Sequence, residues 1–392
     1  MGQSPPSSTY NNEKIGLPFF QGKADFGYIS PKPRVWCSAP SRSGKQGDIL
    51  MSVRAPVGDV NLASEKCALG RGVAAIRPSE GTNGMFLFYS LQFNKPRLVA
   101  ASSGAIFESI NKNTLHELEL QLPPKPEQQK IAAVLWKVQR AIATQYRLIA
   151  ATRDLKQSAM QHLFTHGLLG EPLKDTGIGP MPESWKVAAL GDFGRIGNGS
   201  TPKKTTPEYW RNPTTPWLTS AKVHDGIIRS ADQFVSDTAV KKCHLPIVPA
   251  GSLLIAITGQ GKTLGNSALV EFDTTINQHL AYVRFDRKGV IPGYVYQYMR
   301  SRYEELQGIG RAGGSTKAAL TCAFLRGYPV PLPPPGEQRD IAAALATLDR
   351  KLAHHQRKRA ALNDLFQTTL HQLMTAQIRV ADLDIDTSAV VE

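Results

Sequence analysis

The chain has 392 residues, 41% apolar and 20% charged, which describes a folded protein of two or three domains and excludes a disordered one. Lysine and arginine number 46 against 32 acidic residues, a net charge of +14 with a pI near 9.6. The excess is spread over both halves, which suits a long polyanion such as nucleic acid; the plainer alternative is a merely basic soluble protein.

Apolar runs such as Leu253 to Ile257 fall far short of the ~20 residues a membrane-spanning helix needs, so no membrane role is expected. The opening MGQSPPSS carries no apolar signal core. Cys37, Cys67, Cys243 and Cys322 form no C-x-x-C pair. They predict reduced side chains in a cytoplasmic protein, with neither a disulfide framework nor a zinc site.

In chain order, the run Asp48 to Val53 is short enough to be a strand. Prolines 123, 124 and 126 stop any strand and lead into a helix, with Glu127 and Gln128 in its first turn, where an acidic group suits the dipole. Ile131, Leu135, Val138, Ile142, Gln145 and Ile149 then follow a 4-3-4-3 spacing, the seam of a coiled coil. Gly167 to Pro182 is rich in turn formers and breaks the chain into halves. Ser252 to Ile257 and Leu280 to Phe285 read as strands. Prolines 333 to 335 open a second helix, with the seam Ile341, Leu345, Leu348, Leu352, His355, Arg359, Leu362, Phe366, Thr369 and Leu373. Each helix should run ~35 residues or more, about 50 Å. Gln145, His355 and Arg359 interrupt the seams, either as a polar layer that fixes register or as solvated groups where the helices splay.

The two halves repeat each other. Residues 120–165 match 330–375 without a gap, most plainly as Leu-Pro-Pro…Glu-Gln…Ile-Ala-Ala. Upstream, Ser4-Pro5 corresponds to Thr201-Pro202, Tyr10 to Tyr209, and Pro18-Phe19 to Pro216-Trp217.

This duplication resembles the specificity subunit of a type I restriction–modification enzyme. Beyond the two Leu-Pro-Pro helices, the resemblance rests on Leu163-Phe-Thr-His-Gly, on Ile178-Gly-Pro-Met-Pro-Glu-Ser-Trp185, on Thr201-Pro with Glu208-Tyr-Trp210, and on Asn277-Gln-His279. It implies an α+β fold with two target recognition domains separated by a pair of long antiparallel coiled-coil helices, a pseudo-twofold tandem repeat. The expected division is 1–122 and 171–332 for the recognition domains, 123–170 and 333–378 for the spacer helices, and 379–392 for an acidic tail. It further implies binding of double-stranded DNA at a bipartite site, with two methyltransferase subunits and restriction subunits as partners. No cofactor is expected in this chain; S-adenosylmethionine, ATP and Mg belong to the partners. Ile131, Leu135, Val138, Ile142, Ile341, Leu345, Leu348 and Leu352 are the expected helix-pairing and partner-binding positions. A ~50 Å spacer would span about 15 base pairs. The second half opens with Pro182 to Asp192, for which the first half shows no counterpart ahead of Gly2, so about 15 to 20 residues of the first domain are expected to be missing or replaced. The antiparallel helices would return Ile378 onward to that place.

No chemistry of its own is legible. The chain lacks Asn-Pro-Pro-Tyr or Asp-Pro-Pro-Tyr, a nuclease carboxylate cluster and H-E-x-x-H, so no catalytic or metal residue is expected. Ala256-Ile-Thr-Gly-Gln-Gly-Lys-Thr263 imitates a phosphate loop, but no helix follows it; it reads as a widened hairpin. A nucleotide-binding protein is the first alternative and a coiled-coil adaptor without DNA contact the second.

Loops with basic and amide side chains are the expected DNA readers. The candidates are Ser8, Tyr10, Gln21, Lys23, Arg54 and Arg71 in the first half, and Lys203, Lys204, Trp210, Arg211, Lys262, Arg311 and Lys317 in the second. Tyr10 and Trp210 have a core role as the alternative. Gln278 reads as structural, closing a turn ahead of the strand Leu280 to Phe285.

Overall fold

The computed structural model describes residues 1–102, 109–259, 261–312 and 319–388. The chain divides into two compact units, residues 1–149 with 355–392, and residues 150–354. The two long helices, Lys125–His166 and Pro335–Met374, are 42 and 40 residues long, and each contributes one part to either unit.

Both units are mixed α+β bodies with a fully buried central strand. In unit 1, Ile49–Ser52 lies between antiparallel strands Val60–Leu62 and Val73–Ile76. In unit 2, Leu253–Ala256 lies between Ser267–Val270 and Leu280–Phe285, again antiparallel. Every residue of both central strands is buried, which explains their unbroken apolar runs. The registers agree: Ile49 faces Ile76 as Leu253 faces Val283. A second small sheet in each unit pairs Leu17–Phe20 with Cys67–Leu69, and Thr215–Leu218 with Thr275–Ile276, both parallel. The helices Gly84–Phe93 and Pro292–Ser301 follow the sheets and bury Phe86, Phe88 and Tyr89, or Tyr294, Val295 and Met299.

The long helices run antiparallel within each unit. In unit 1, Tyr146 lies under Arg359 (4.8 Å to the ring centroid) and Glu127 meets Arg379. In unit 2, Lys156 meets Asp349 at 2.6 Å. The seam residues Ile131, Leu135, Ile142, Ile341 and Leu345 are at most 3% exposed, whereas Val138, Leu348 and Leu352 are half-buried. These seams are not purely interhelical. Ile131 and Leu135 share a core with Phe86 and Phe88, and Ile341 and Leu345 share one with Tyr294 and Tyr298. The polar interruption is a joined layer: Gln145 Oε1 and His355 Nδ1 lie 2.9 Å apart, at equivalent positions of the repeat.

Glu127-Gln128 and Glu337-Gln338 do more than meet a helix dipole; all four are buried. Gln338 accepts from the backbone N–H of Ile291 and donates to Gly289 O and Pro333 O, at 2.8–3.1 Å. Gln128 does the same with Asn83 N, Gly81 O and Pro123 O. Each glutamine therefore ties a long helix to the body ahead of it by satisfying backbone groups that burial would otherwise leave unpaired. Glu337 accepts from Leu168 N and from Trp185 Nε1. Glu127 instead accepts both Nε and Nη2 of Arg379 at 2.7 Å, and that guanidinium, foremost among its neighbours, holds the carboxyl below its ordinary range. The residues after Ile378 thus do return to the head of the first long helix.

The phosphate-loop lookalike is a hairpin. Leu253–Ala256 pairs antiparallel with Ser267–Val270, and the connection turns through Gly259 and Gly261, both at positive φ. Gln260 lies outside the described residues. No helix begins at Lys262, so the arrangement that holds a nucleotide phosphate is not formed.

Candidate nucleic-acid interface

The repeat extends to single hydrogen bonds in the loops. Gly2 N donates to Val73 O as Gly199 N does to Leu280 O. Gln3 N donates to Leu69 O as Ser200 N does to Ile276 O. Gly70 N donates to Phe20 O as Asn277 N does to Leu218 O, and Val53 N to Gly72 O as Ile257 N does to His279 O. These four pairs make Ser4, Gln21, Arg54 and Arg71 the counterparts of Thr201, Thr219, Thr258 and Gln278. Each set sits where the strands of one unit end.

In unit 1 the cluster is cationic. Ser8, Gln21, Arg54 and Arg71 are exposed. Arg71 N donates to Ser4 Oγ at 3.4 Å, and the glycines on either side press against Gln21: a Cβ on Gly70 would stand 3.1 Å from Gln21 Cα, and one on Gly72 2.2 Å from Gln21 O. Close backbone packing therefore fixes the loop that carries Arg71. Arg54 forms an isolated bridge with Ser109 beside it. Lys23 is drawn away: its ammonium pairs with Asp59 at 3.1 Å, a carboxylate it shares with Lys95. Tyr10 is half-buried, stacks on Phe19 at 4.7 Å and donates to Pro5 O, so it supports the loop from beneath.

In unit 2 the same position is uncharged. Thr201 Oγ1 donates to Gln278 Oε1, Gln278 Nε2 lies 3.2 Å from His279 Nε2, and His279 Nδ1 meets Thr258 Oγ1. Beside this chain, His224 Nε2 is 3.1 Å from Thr263 Oγ1 and its Nδ1 is 3.3 Å from Asn266 Nδ2. Gln278, ahead of the strand Leu280–Phe285, is exposed while its amide meets Thr201 and His279.

Positive charge in unit 2 lies on the rim. Lys203, Lys204 and Arg211 are exposed. Trp210 is a support: its indole N–H donates to Lys203 O at 3.1 Å and its ring meets Trp217 edge-on at 5.7 Å. It holds the lysine turn in place. Lys262 is exposed at its hairpin tip, where Tyr303 donates to Lys262 O, and Gln307 and Arg311 donate to Gly261 O. Arg311, in the last turn of the helix Tyr303–Ala312, thus meets the hairpin tip that carries Lys262. Lys317 lies outside the described residues. Among the described residues, no group of three or more His, Cys, Asp or Glu is placed to hold a metal ion, and no helix is long and apolar enough to cross a membrane.

Comparison with known proteins places this geometry. The model of the type I restriction modification DNA specificity domain matches residues 42–151 and 182–364. The putative type I restriction enzyme MjaX specificity subunit of Methanocaldococcus jannaschii is 42% identical over 166 residues, 42% of this chain and 39% of that protein. The MjaIX specificity subunit of the same organism is 29% identical over 197 residues, 49% of this chain and 44% of that protein. These matches span less than half the length of either relative. The crystal structure of the type I restriction–modification S subunit from M. genitalium shares the fold, with a TM-score of 0.64 at 17% identity over 95% of this chain and 92% of that one.

Proposed function

The chain belongs to the family of type I restriction–modification DNA specificity proteins, and from that premise we propose that it is the sequence-reading subunit of such a system, each unit contacting one half of a bipartite site in double-stranded DNA. The observation that carries this reading is the duplicated loop cluster. Two bodies of one fold present equivalent loops with different side chains, Arg54 and Arg71 in one, Thr258 and Gln278 in the other. One fold with two sets of side chains suits two half-sites of different sequence. Lys203, Lys204, Arg211, Lys262 and Arg311 supply phosphate contacts, which position without reading.

The chain itself does no chemistry. Two adenine methyltransferase subunits, using S-adenosylmethionine, and restriction subunits, using ATP and Mg, assemble along the long helices and act where the readers place them. Exposed seam flanks such as Leu155 and Leu365 are the apolar positions offered to these partners.

Retention of duplex DNA by the chain with its methyltransferase partner tests the reading. Affinity should fall roughly 10³- to 10⁵-fold between 50 and 200 mM salt, as for six to ten phosphate contacts. Lys203→Ala and Lys262→Ala should each flatten that dependence and leave the methylated sequence unchanged. A flat salt response, or methyl transfer by the chain alone, contradicts it.

A further inference from the structure

We infer that Arg71 and Gln278 are equivalent base-reading positions, Arg71 facing a guanine in one half-site and Gln278 an adenine in the other. The inference rests on the DNA-reading function proposed above and adds which side chain reads which base.

Equivalence comes from the backbone. The four matched hydrogen bonds surround both positions and align the loops residue by residue. The two loops are also held alike, by glycines pressed against the neighbouring backbone. A Cβ on Gly2 would stand 2.3 Å from Gly70 O, and one on the equivalent Gly199 2.7 Å from Asn277 O and 1.8 Å from Ile276 O. Neither loop can move without losing that packing, so each side chain starts from a fixed Cα, as precise recognition needs.

Chemistry assigns the bases. Arg71 is exposed and makes no ion pair among the described residues. Its planar fork of donors matches the O6 and N7 acceptors of guanine. A glutamine amide offers one donor and one acceptor, the pattern of adenine N7 and N6. Thr201 and His279 already hold that amide by both its atoms, so it is oriented before DNA arrives. Arg54 and Thr258, one loop away in each unit, repeat the contrast between a cationic and a neutral cluster. A phosphate contact at either place would not carry sequence.

The experiment co-expresses the chain with its methyltransferase partner and maps methylated adenines across the host genome. Arg71→Ala should relax one guanine position of one half-site by roughly 10- to 100-fold in preference. Gln278→Ala should relax one adenine position of the other half-site, and Gln278→Arg should shift that position toward guanine. In binding assays with duplexes of the mapped site, 7-deazaguanine at the Arg71 position should weaken the unsubstituted complex and not the Arg71→Ala complex. A two-part motif left unchanged by both alanine variants, or both variants altering the same half-site, overturns the inference alone. Absence of any two-part motif with the unsubstituted chain overturns the function on which it rests.

Discussion

Where each body meets its long helix, the two units solve one packing problem with different chemistry. Unit 1 brings together Tyr89, Gln139 and Phe366: the tyrosine hydroxyl donates to Gln139 Oε1 at 2.6 Å, and the two aromatic rings lie 5.9 Å apart. Unit 2 puts Gln297, Asp349 and Lys156 at the corresponding places. Gln297 donates to Asp349 at 2.8 Å, and Lys156 pairs with the same carboxylate. The neutral node is an ordinary core contact. The charged one holds a lysine that is 8% exposed, and burial, then the nearby Arg300, pushes its ammonium below the ordinary lysine value against the pull of Asp349. The backbone frame is shared, so the difference lies in dependence: the charged node has more to lose when one member is removed.

Asp349→Ala should therefore be the most damaging of the changes considered. It strands Lys156 without its partner and should cost about 3 kcal/mol. Gln139→Ala in unit 1 removes one neutral hydrogen bond and should cost about 1 kcal/mol. Hydrogen exchange, read separately for the amides of each unit, measures both. Equal losses in the two units would erase the distinction.

The glutamine anchors should behave alike, because their three partners are alike. Gln128→Ala and Gln338→Ala should each cost about 2–3 kcal/mol in their own unit, since each leaves buried backbone groups unpaired. Urea unfolding followed in the two units checks this, and a large asymmetry would show that the anchors are not equivalent.

The glutamates should differ again, and pH separates them. The Glu127 carboxyl is held below its ordinary value of 4.5, first by Arg379. A carboxyl lowered in the folded state stabilises the fold above the ordinary value, and that contribution is lost as the pH falls through the lowered one. Glu127→Gln should thus destabilise unit 1 by about 1–2 kcal/mol at pH 7, with the gap to the unsubstituted chain closing below pH 4.5. A gap independent of pH would mean that Arg379 contributes only shape.

What the sequence revealed follows from distance along the chain. The long helices, the central strands and the false phosphate loop were legible, because apolar spacing and turn formers are local signals. The offset of 210 residues exposed the halves, but it left open whether Gln145 and His355 join or splay, which the structure answers with their 2.9 Å contact. The anchoring role of Gln128 and Gln338 was not legible, since the backbone N–H each satisfies lies 45 or 47 residues upstream. The pairing of Lys23 with Asp59 was not legible either, because the two are remote in sequence. The contact of Gln278 with Thr201 was hidden for the same reason, since the two lie 77 residues apart. Tyr10 and Trp210 carry the residue types of readers, and their packing against Phe19 and Trp217 depends on residues that the sequence does not place beside them.

The most direct test of the proposed function is the methylated sequence itself, mapped across the genome of a host that expresses this chain with the methyltransferase subunit proposed as its partner. The proposed function predicts two short, different blocks separated by a fixed number of unread base pairs, and no methylation at those sites when the chain is omitted. A single uninterrupted block, or the same methylation without the chain, would contradict it.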